Sequence, residues 1–358
     1  MGTEREAARV LDQEPSAGPS PGDAARPARR PTGPLAALIV ALSAVTVLVA
    51  SAQRSSSIAP SASPGAASAA ALGLPGPLPS GAQVRPSEEL LSFDGCSFVD
   101  RGFGEYDAWR SLPVGRALVP RDGAVDGADG GFNLLLHFHG AEPVRKQLVL
   151  EDTDLVIVGV DAGTLSSHYT RVLSAEGAFA ALVASIEREV AVATRRAEAH
   201  ARRITVSSWS AGYGAVAQIL ARPDARRLDG IILLDSLHGG YARGPGSRAD
   251  RRVDPTPLAP FLSFAREATL DGPLFYLTHS GVATDGYAST TDVASMVLED
   301  VGAPAHDVTP NPGDALRLTR MSDAGRFYVR GYAGGTKEDH CAQLRLLPSI
   351  VRERVLRR

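Results

Sequence analysis

From residue 90 onward, short apolar runs alternate along the chain with longer amphipathic stretches. The runs have the length of buried strands, and the stretches place apolar residues at helical spacing with charges on the opposite face. This alternation is typical of a mostly parallel sheet flanked by helices, so the sequence predicts an α/β fold. The predicted strands are 132–139, 155–160, 204–208, 230–234, 273–278 and 327–330. The predicted helices are 175–200, 211–221, 291–298 and 341–356.

The first ninety residues have the composition of a targeting segment followed by a flexible linker. Residues 1–34 form a basic, proline-rich leader, and 35–52 contain an uncharged apolar run followed by an A-x-A-type cleavage sequence ending at Ala52. The run lies between a signal-peptide core and a full membrane span in length, so cleavage near Ala52 and an uncleaved signal anchor both remain open. Residues 53–89 are rich in Ser, Ala, Pro and Gly and predict a disordered linker. We therefore expect an exported domain over 90–358, secreted or held at the cell envelope.

Charge and cysteine content limit the partners. The formal net charge of -3 gives no general attraction to nucleic acid or to an anionic membrane, so we expect membrane contact only through the N-terminal apolar segment, if it is uncleaved. Cys96 and Cys341 are the two cysteines, and they lie too far apart for a CxxC metal or redox motif. In an oxidising compartment a disulfide between them is the natural pairing, with two separate buried thiols as the alternative.

A serine lies at the junction of a predicted strand and a predicted helix, in Ser208-Trp209-Ser210-Ala211-Gly212. A serine hydroxyl becomes a nucleophile when a base takes its proton, and a sharp strand-to-helix turn holds it clear of the backbone. Such a turn needs small residues two before and two after the nucleophile, as Ser208 and Gly212 are. This spacing favours Ser210 over its neighbours as the nucleophile. The alternative is that Ser210 serves only as a helix N-cap.

Two histidine-containing segments accompany this serine. His137-Phe138-His139-Gly140-Ala141 follows a predicted strand upstream of it, and Lys337-Glu338-Asp339-His340-Cys341 lies between the last predicted strand and the closing helix. Of the eight histidines, His340 has the position that a general base for Ser210 requires, and His306 is next. Two histidines one residue apart on a strand point to opposite faces, which argues against a metal pair at 137 and 139.

In these three segments the chain resembles the α/β-hydrolase superfamily, with no closer family indicated. The resemblance implies the α/β-hydrolase fold and a Ser–His–acid triad that cleaves an ester or related acyl bond in a small-molecule or polymer substrate, without a metal or an organic cofactor. Ser210 corresponds to the nucleophile and His340 to the base. The oxyanion hole would use N–H groups of Ala211 and of Ala141 or Gly140.

The triad acid is the open assignment. The position used by most members of the superfamily falls in Leu277-Thr278-His279-Ser280, which has no carboxylate. Asp235 ends the strand after the nucleophile helix and is our first candidate, because a carboxylate there can orient the imidazole. Asp285, a few residues beyond the other position, is the alternative.

Two other interpretations use the same residues differently. An acyltransferase or a peptidase would share the triad. A non-catalytic surface protein on a hydrolase scaffold would bind a cell-wall glycan or another partner, because a fold does not dictate a function.

Overall fold

The structure is a computed structural model that describes residues 96–121, 125, 129–149, 151, 154–242 and 252–357. The predicted leader 1–34, apolar segment 35–52 and linker 53–89 lie outside the described residues. Within these described ranges, no helix combines the length and apolar character needed to cross a membrane.

Ten strands of the described residues form one sheet, with helices between them. The strands are β1 Arg110–Ser111, β2 Arg116–Leu118, β3 Gly131–Phe138, β4 Val156–Val160, β5 His200–Trp209, β6 Gly230–Leu234, β7 Leu274–His279, β8 His306–Asp307, β9 Leu318–Ala324 and β10 Phe327–Tyr332. The α-helices are α1 Ala141–Leu148, α2 Ser166–Val172, α3 Ala178–Thr194, α4 Tyr213–Leu220, α5 Ala259–Thr269, α6 Thr290–Val301, α7 Lys337–Ala342 and α8 Leu347–Ile350.

The strand order is β1-β2-β4-β3-β5-β6-β7-β10-β9-β8. The strands from β4 to β10 in this order run parallel, whereas β1, β2, β9 and β8 pair antiparallel at the two edges. This mostly parallel sheet with flanking helices confirms the predicted α/β fold class. Since parallel strands end at the same edge of a sheet, the loops after β3 to β7 and after β10 lie at one edge.

Both faces of the central strands are buried, because helices pack on each side of the sheet. Alternate side chains of a strand point to opposite faces and so enter different cores. Leu134 and Leu136 of β3 pack into a core with residues of α2 to α6, while Leu135 between them packs into a second core under α1 and the C-terminal helices. The same alternation divides the side chains of β6. Burial on both faces is why these strands are continuous apolar runs in the sequence.

Several boundaries differ from the sequence prediction. Helix α3 ends at Thr194, where Arg195 has φ 54°, and β5 then begins at His200, inside the stretch predicted as helix. Strand β9 was not predicted because Arg320 and Asp323 interrupt it and most of its side chains are only half-buried. Helices α1, α2 and α5 were also not predicted.

The closing helix begins earlier than predicted. Thr336 is the N-cap of α7, and its side chain and that of Asp339 form a reciprocal capping box. His340 therefore lies within the first turn and a half of a helix rather than in a turn before it. The rest of the segment continues as short 3-10, α and π turns over 343–356.

A disulfide joins Cys96 to Cys341, with a Cα–Cα distance of 5.4 Å. It closes a loop with a sequence separation of 245 residues. One end of this bond is the residue after His340, so the N-terminal segment of the domain is tied directly to helix α7.

We expect removal of this disulfide to destabilise the domain by about 2–5 kcal/mol, because the cross-link restricts the unfolded chain. For a domain of this size that corresponds to a loss of about 5–15 °C in Tm. Thermal unfolding of Cys341→Ser, of the Cys96→Ser/Cys341→Ser pair and of reduced wild-type protein should give the same lowered Tm. A wild-type Tm that reductant leaves unchanged would contradict the prediction.

Candidate active site

The chain turns sharply at Ser210. Strand β5 ends at Trp209, a 3-10 turn covers Ser210–Gly212, and α4 follows at Tyr213. Ser210 has φ 49°, in the left-handed region that non-glycine residues adopt infrequently. Such strain is characteristic of a serine held at a strand-to-helix turn, where its hydroxyl projects from the sheet edge.

Close packing requires glycine two positions after this serine. A Cβ on Gly212 would lie 2.2 Å from the carbonyl oxygen of Phe138, at the end of β3. A Cβ on Gly214 would lie 2.2 Å from the carbonyl oxygen of Ser166. The turn at Ser210 therefore packs directly against the loop that follows β3.

The neighbouring serines are buried and hydrogen-bonded. Ser207 Oγ lies 2.8 Å from Nδ1 of His137, and Ser208 Oγ lies 2.7 Å from Oγ of Ser236. Both residues are fully buried, whereas Ser210 retains partial exposure. Of the three serines, Ser210 is the one that solvent reaches.

His340 and Asp235 form a hydrogen bond. Nδ1 of His340 lies 2.7 Å from Oδ2 of Asp235, although the two residues are 105 positions apart. Because an ionised carboxylate only accepts, Nδ1–H is the donor, and Nε2 of the neutral ring keeps its lone pair. Asp235 directly follows β6 and has φ 45°, and it lies next to the turn at Ser210 that follows β5.

The Asp235 carboxylate is buried and surrounded by donors. It accepts hydrogen bonds from the backbone N–H of Ser280 at 3.0 Å, from Oγ of Ser280 at 2.6 Å and from Oγ1 of Thr290. Burial alone would raise the pKa of Asp235. The hydrogen bond and charge of His340, with the hydroxyls of Ser280 and Thr290, outweigh burial and hold this pKa below its ordinary value. The carboxylate therefore remains ionised at neutral pH.

Trp209 holds His340 from a second direction. Its Nε1–H donates to the carbonyl oxygen of His340 at 3.0 Å, and the indole and imidazole centroids are 4.7 Å apart. The ring of His139 stacks on the indole at 5.1 Å. With the neighbouring disulfide at Cys341, these contacts fix the second half of α7.

The other candidate residues are not brought to this pair. Asp285 is exposed in the loop between β7 and α6, and the carboxylate that contacts His340 is Asp235. His306, the second candidate base, is exposed in the edge strand β8. His137 is fully buried, which lowers its pKa to about 3, and its Nε2–H donates to the carbonyl of His139. No cluster suited to a metal ion occurs among the described residues.

Two of the three N–H groups predicted for the oxyanion hole are occupied by a carboxylate. Oδ1 of Asp161 accepts from the N–H of Gly140 at 2.7 Å and from the N–H of Ala141 at 3.2 Å. Asp161 follows β4, and Gly140, with φ 89°, is the N-cap residue of α1. The N-terminus of a helix favours negative charge, which explains why the carboxylate lies there. A substrate oxygen would have to displace it to reach these donors.

The sequence did not indicate several of these partners. Asp161, Ser280 and Thr290 act through contacts between separate loops, and no motif in the sequence marks them. Trp209 was identified only as a neighbour of the serine. A groove of about 570 Å³ lies at the opposite edge of the sheet, lined by residues such as Asp229 and Arg326, and includes none of the residues described above.

No protein-family model matches the chain, and no curated protein matches it. Two solved structures of acylaminoacyl peptidase from Pyrococcus horikoshii are similar in part. One is 14% identical with a TM-score of 0.39 over 71% of this chain, and the uncomplexed form is 14% identical with a TM-score of 0.34 over 70%. The chain spans 42% and 41% of these peptidase chains, which is less than half of their length.

We expect Gly212→Ala to destabilise the domain, because the added methyl group overlaps the Phe138 carbonyl. Overpacking of this kind costs about 1–3 kcal/mol, or roughly 2–10 °C in Tm. Gly240→Ala is the matched control, since a Cβ there meets no atom within 4 Å. Equal melting temperatures for the two variants would show that the turn does not pack as described.

Proposed function

We propose that this protein is a serine hydrolase that cleaves an ester or related acyl bond through Ser210, His340 and Asp235. The observation that carries the proposal is the hydrogen bond between His340 and the buried Asp235 carboxylate, at the sheet edge where Ser210 follows β5. A strained, partly exposed serine, a histidine with one ring nitrogen free to take a proton and a buried acid are the parts that acyl transfer needs.

In the proposed reaction Ser210 Oγ attacks the carbonyl carbon while Nε2 of His340 takes the hydroxyl proton. Asp235 holds the imidazole through Nδ1–H and stabilises the imidazolium that forms. His340 then gives the proton to the leaving group as the bond to it breaks, which leaves an acyl-enzyme. A water molecule, deprotonated by His340, attacks this ester, releases the acid and restores the Ser210 hydroxyl.

The oxyanion that develops during the attack needs donors beside Ser210. The N–H of Ala211, in the turn that leads into α4, is our first proposed donor. The N–H of Ala141 is the second, with that of Gly140 beside it. Their present occupant, Oδ1 of Asp161, is a negatively charged oxygen, which supports the capacity of these groups to hold one. The proposal requires the side chain of Asp161 to move when substrate binds.

We also propose that the protein acts outside the cytoplasm. The Cys96–Cys341 disulfide supports this location, because structural disulfides persist in oxidising compartments. The basic leader and apolar segment upstream have the composition of an export signal. The proposed substrate is a small-molecule or polymer acyl ester.

We expect a fluorophosphonate probe to label wild-type protein and not Ser210→Ala, because the probe reacts with a serine activated by a base. Ser174→Ala, which removes an exposed serine remote from β5, is the matched control and should label like wild type. Mass analysis of the labelled peptide should place the adduct on Ser210. Equal labelling of wild type and Ser210→Ala would exclude Ser210 as the nucleophile.

We expect Asp235→Asn to lower kcat for ester hydrolysis by roughly 10³- to 10⁴-fold, because the amide no longer holds the required tautomer of His340. Asp285→Asn is the matched control, and its kcat should stay within about twofold of wild type, because His340 contacts the other carboxylate. Steady-state kinetics on one ester is the measurement. A severe loss in Asp285→Asn with little loss in Asp235→Asn would reverse the assignment of the acid.

A further inference from the structure

Four segments at the edge of the sheet where Ser210 and Asp235 lie each contribute an apolar or aromatic side chain. Leu165 lies in the loop after β4, Tyr213 follows the serine turn after β5, His238 follows β6, and Tyr287 lies in the loop after β7. We call these four residues the apolar strip. They follow β4, β5, β6 and β7, which all run parallel in the sheet, so their location at the same edge follows from the topology.

Ring contacts join three members of the strip into a row. The ring centroids of Tyr213 and His238 are 5.8 Å apart, and those of His238 and Tyr287 are 5.4 Å apart in an edge-to-face arrangement. The hydroxyl of Tyr213 lies 3.4 Å from Oγ of Ser166, the residue after Leu165. The aromatic row therefore ends beside the segment that carries Leu165.

Backbone pairing keeps the two loops that carry His238 and Tyr287 together. The N–H of Ala288 donates to the carbonyl of Gly239 at 2.8 Å. Oγ1 of Thr284 donates to the carbonyl of Tyr287 at 2.7 Å. Both contacts involve Tyr287 itself or residues next to the two rings, so contacts within the protein hold the backbone that carries the aromatic surface.

Exposure distinguishes the two ends of the strip from most of the protein. Leu165 is 59% exposed and Tyr287 is 45% exposed, whereas most large apolar side chains of the described residues are buried. Apolar groups that remain exposed beside polar reactive groups are typical of a ligand-binding surface.

The strip lies beside the proposed catalytic residues. Tyr213 is three positions after Ser210, and His238 is three positions after Asp235. Asp235 lies close enough to His238 for its negative charge to act on that ring. Burial lowers the pKa of His238, so this ring is neutral at pH 7 and presents an aromatic surface rather than a cation.

We propose that the apolar strip binds a planar aromatic ring of the substrate, so that the preferred substrates are esters with an aromatic acyl or alcohol group. This inference rests on the proposed hydrolase function. Aromatic rings interact through their quadrupoles as well as through buried area, so a phenyl ring gains more from Tyr287 and His238 than a cyclohexyl ring of similar size.

The experiment compares matched esters in wild type, Tyr287→Leu and Tyr287→Phe. Phenyl acetate with cyclohexyl acetate tests the alcohol side, and methyl benzoate with methyl cyclohexanecarboxylate tests the acyl side. For each pair the aromatic-to-alicyclic ratio of kcat/KM is divided by the wild-type ratio, which cancels the intrinsic reactivity of the esters. In at least one pair we expect Tyr287→Leu to lower this ratio about 3- to 10-fold, and Tyr287→Phe to keep it within about twofold.

Two controls separate the strip from the chemistry. Leu270→Ala alters a side chain that is 82% exposed outside the strip, and it should leave both ratios unchanged. Fluorophosphonate labelling of each variant reports the activated serine independently of substrate preference. If Tyr287→Leu labels normally and leaves both ratios unchanged, or if Tyr287→Phe loses as much as Tyr287→Leu, the strip is not the aromatic site. Wild-type protein that the probe does not label would overturn the hydrolase proposal itself.

Discussion

The hydrogen bond between Asp235 and His340 is the interaction on which the rest of this site depends. A buried carboxylate is unfavourable unless it is paired and hydrogen-bonded, and Asp235 is only 1% exposed. Its charge is balanced by the imidazole and by hydroxyl and N–H donors of Ser280 and Thr290. These hydrogen bonds offset the cost of burying the Asp235 carboxylate, and the one to His340 also fixes the orientation of the imidazole ring.

The fold brings these groups together through two further restraints. Parallel strands β5 and β6 end side by side, which places the turn at Ser210 next to Asp235. His340 arrives from the end of the chain and is held by the Trp209 hydrogen bond and by the disulfide at Cys341. Without these two contacts, His340 would be held by the hydrogen bond to Asp235 and by the packing of short helical turns.

Local sequence patterns predicted much of this fold. Strand β6 was predicted with its observed bounds because it is a buried, continuous apolar run. The turn at Ser210 was predicted because small residues, Ser208 and Gly212, lie two positions before and after it. Asp235 could be ranked first but not separated from Asp285, since the choice depends on which strand end faces His340. The occupation of the Gly140 and Ala141 N–H groups by Asp161 joins two loops and has no local signal. The earlier start of α7 did have one, a Thr-x-x-Asp capping box at Thr336 and Asp339.

The proposed mechanism requires the Ser210 hydroxyl and Nε2 of His340 to act on the same carbonyl. A crystal structure of the protein after reaction with a phosphonate ester would show whether they meet at one atom. We predict phosphorus bonded to Oγ of Ser210, a phosphonyl oxygen facing the N–H of Ala211, and Nε2 of His340 within hydrogen-bond distance of a phosphonyl or ester oxygen. An adduct on another residue, or on Ser210 with the His340 ring turned away from it, would contradict the account.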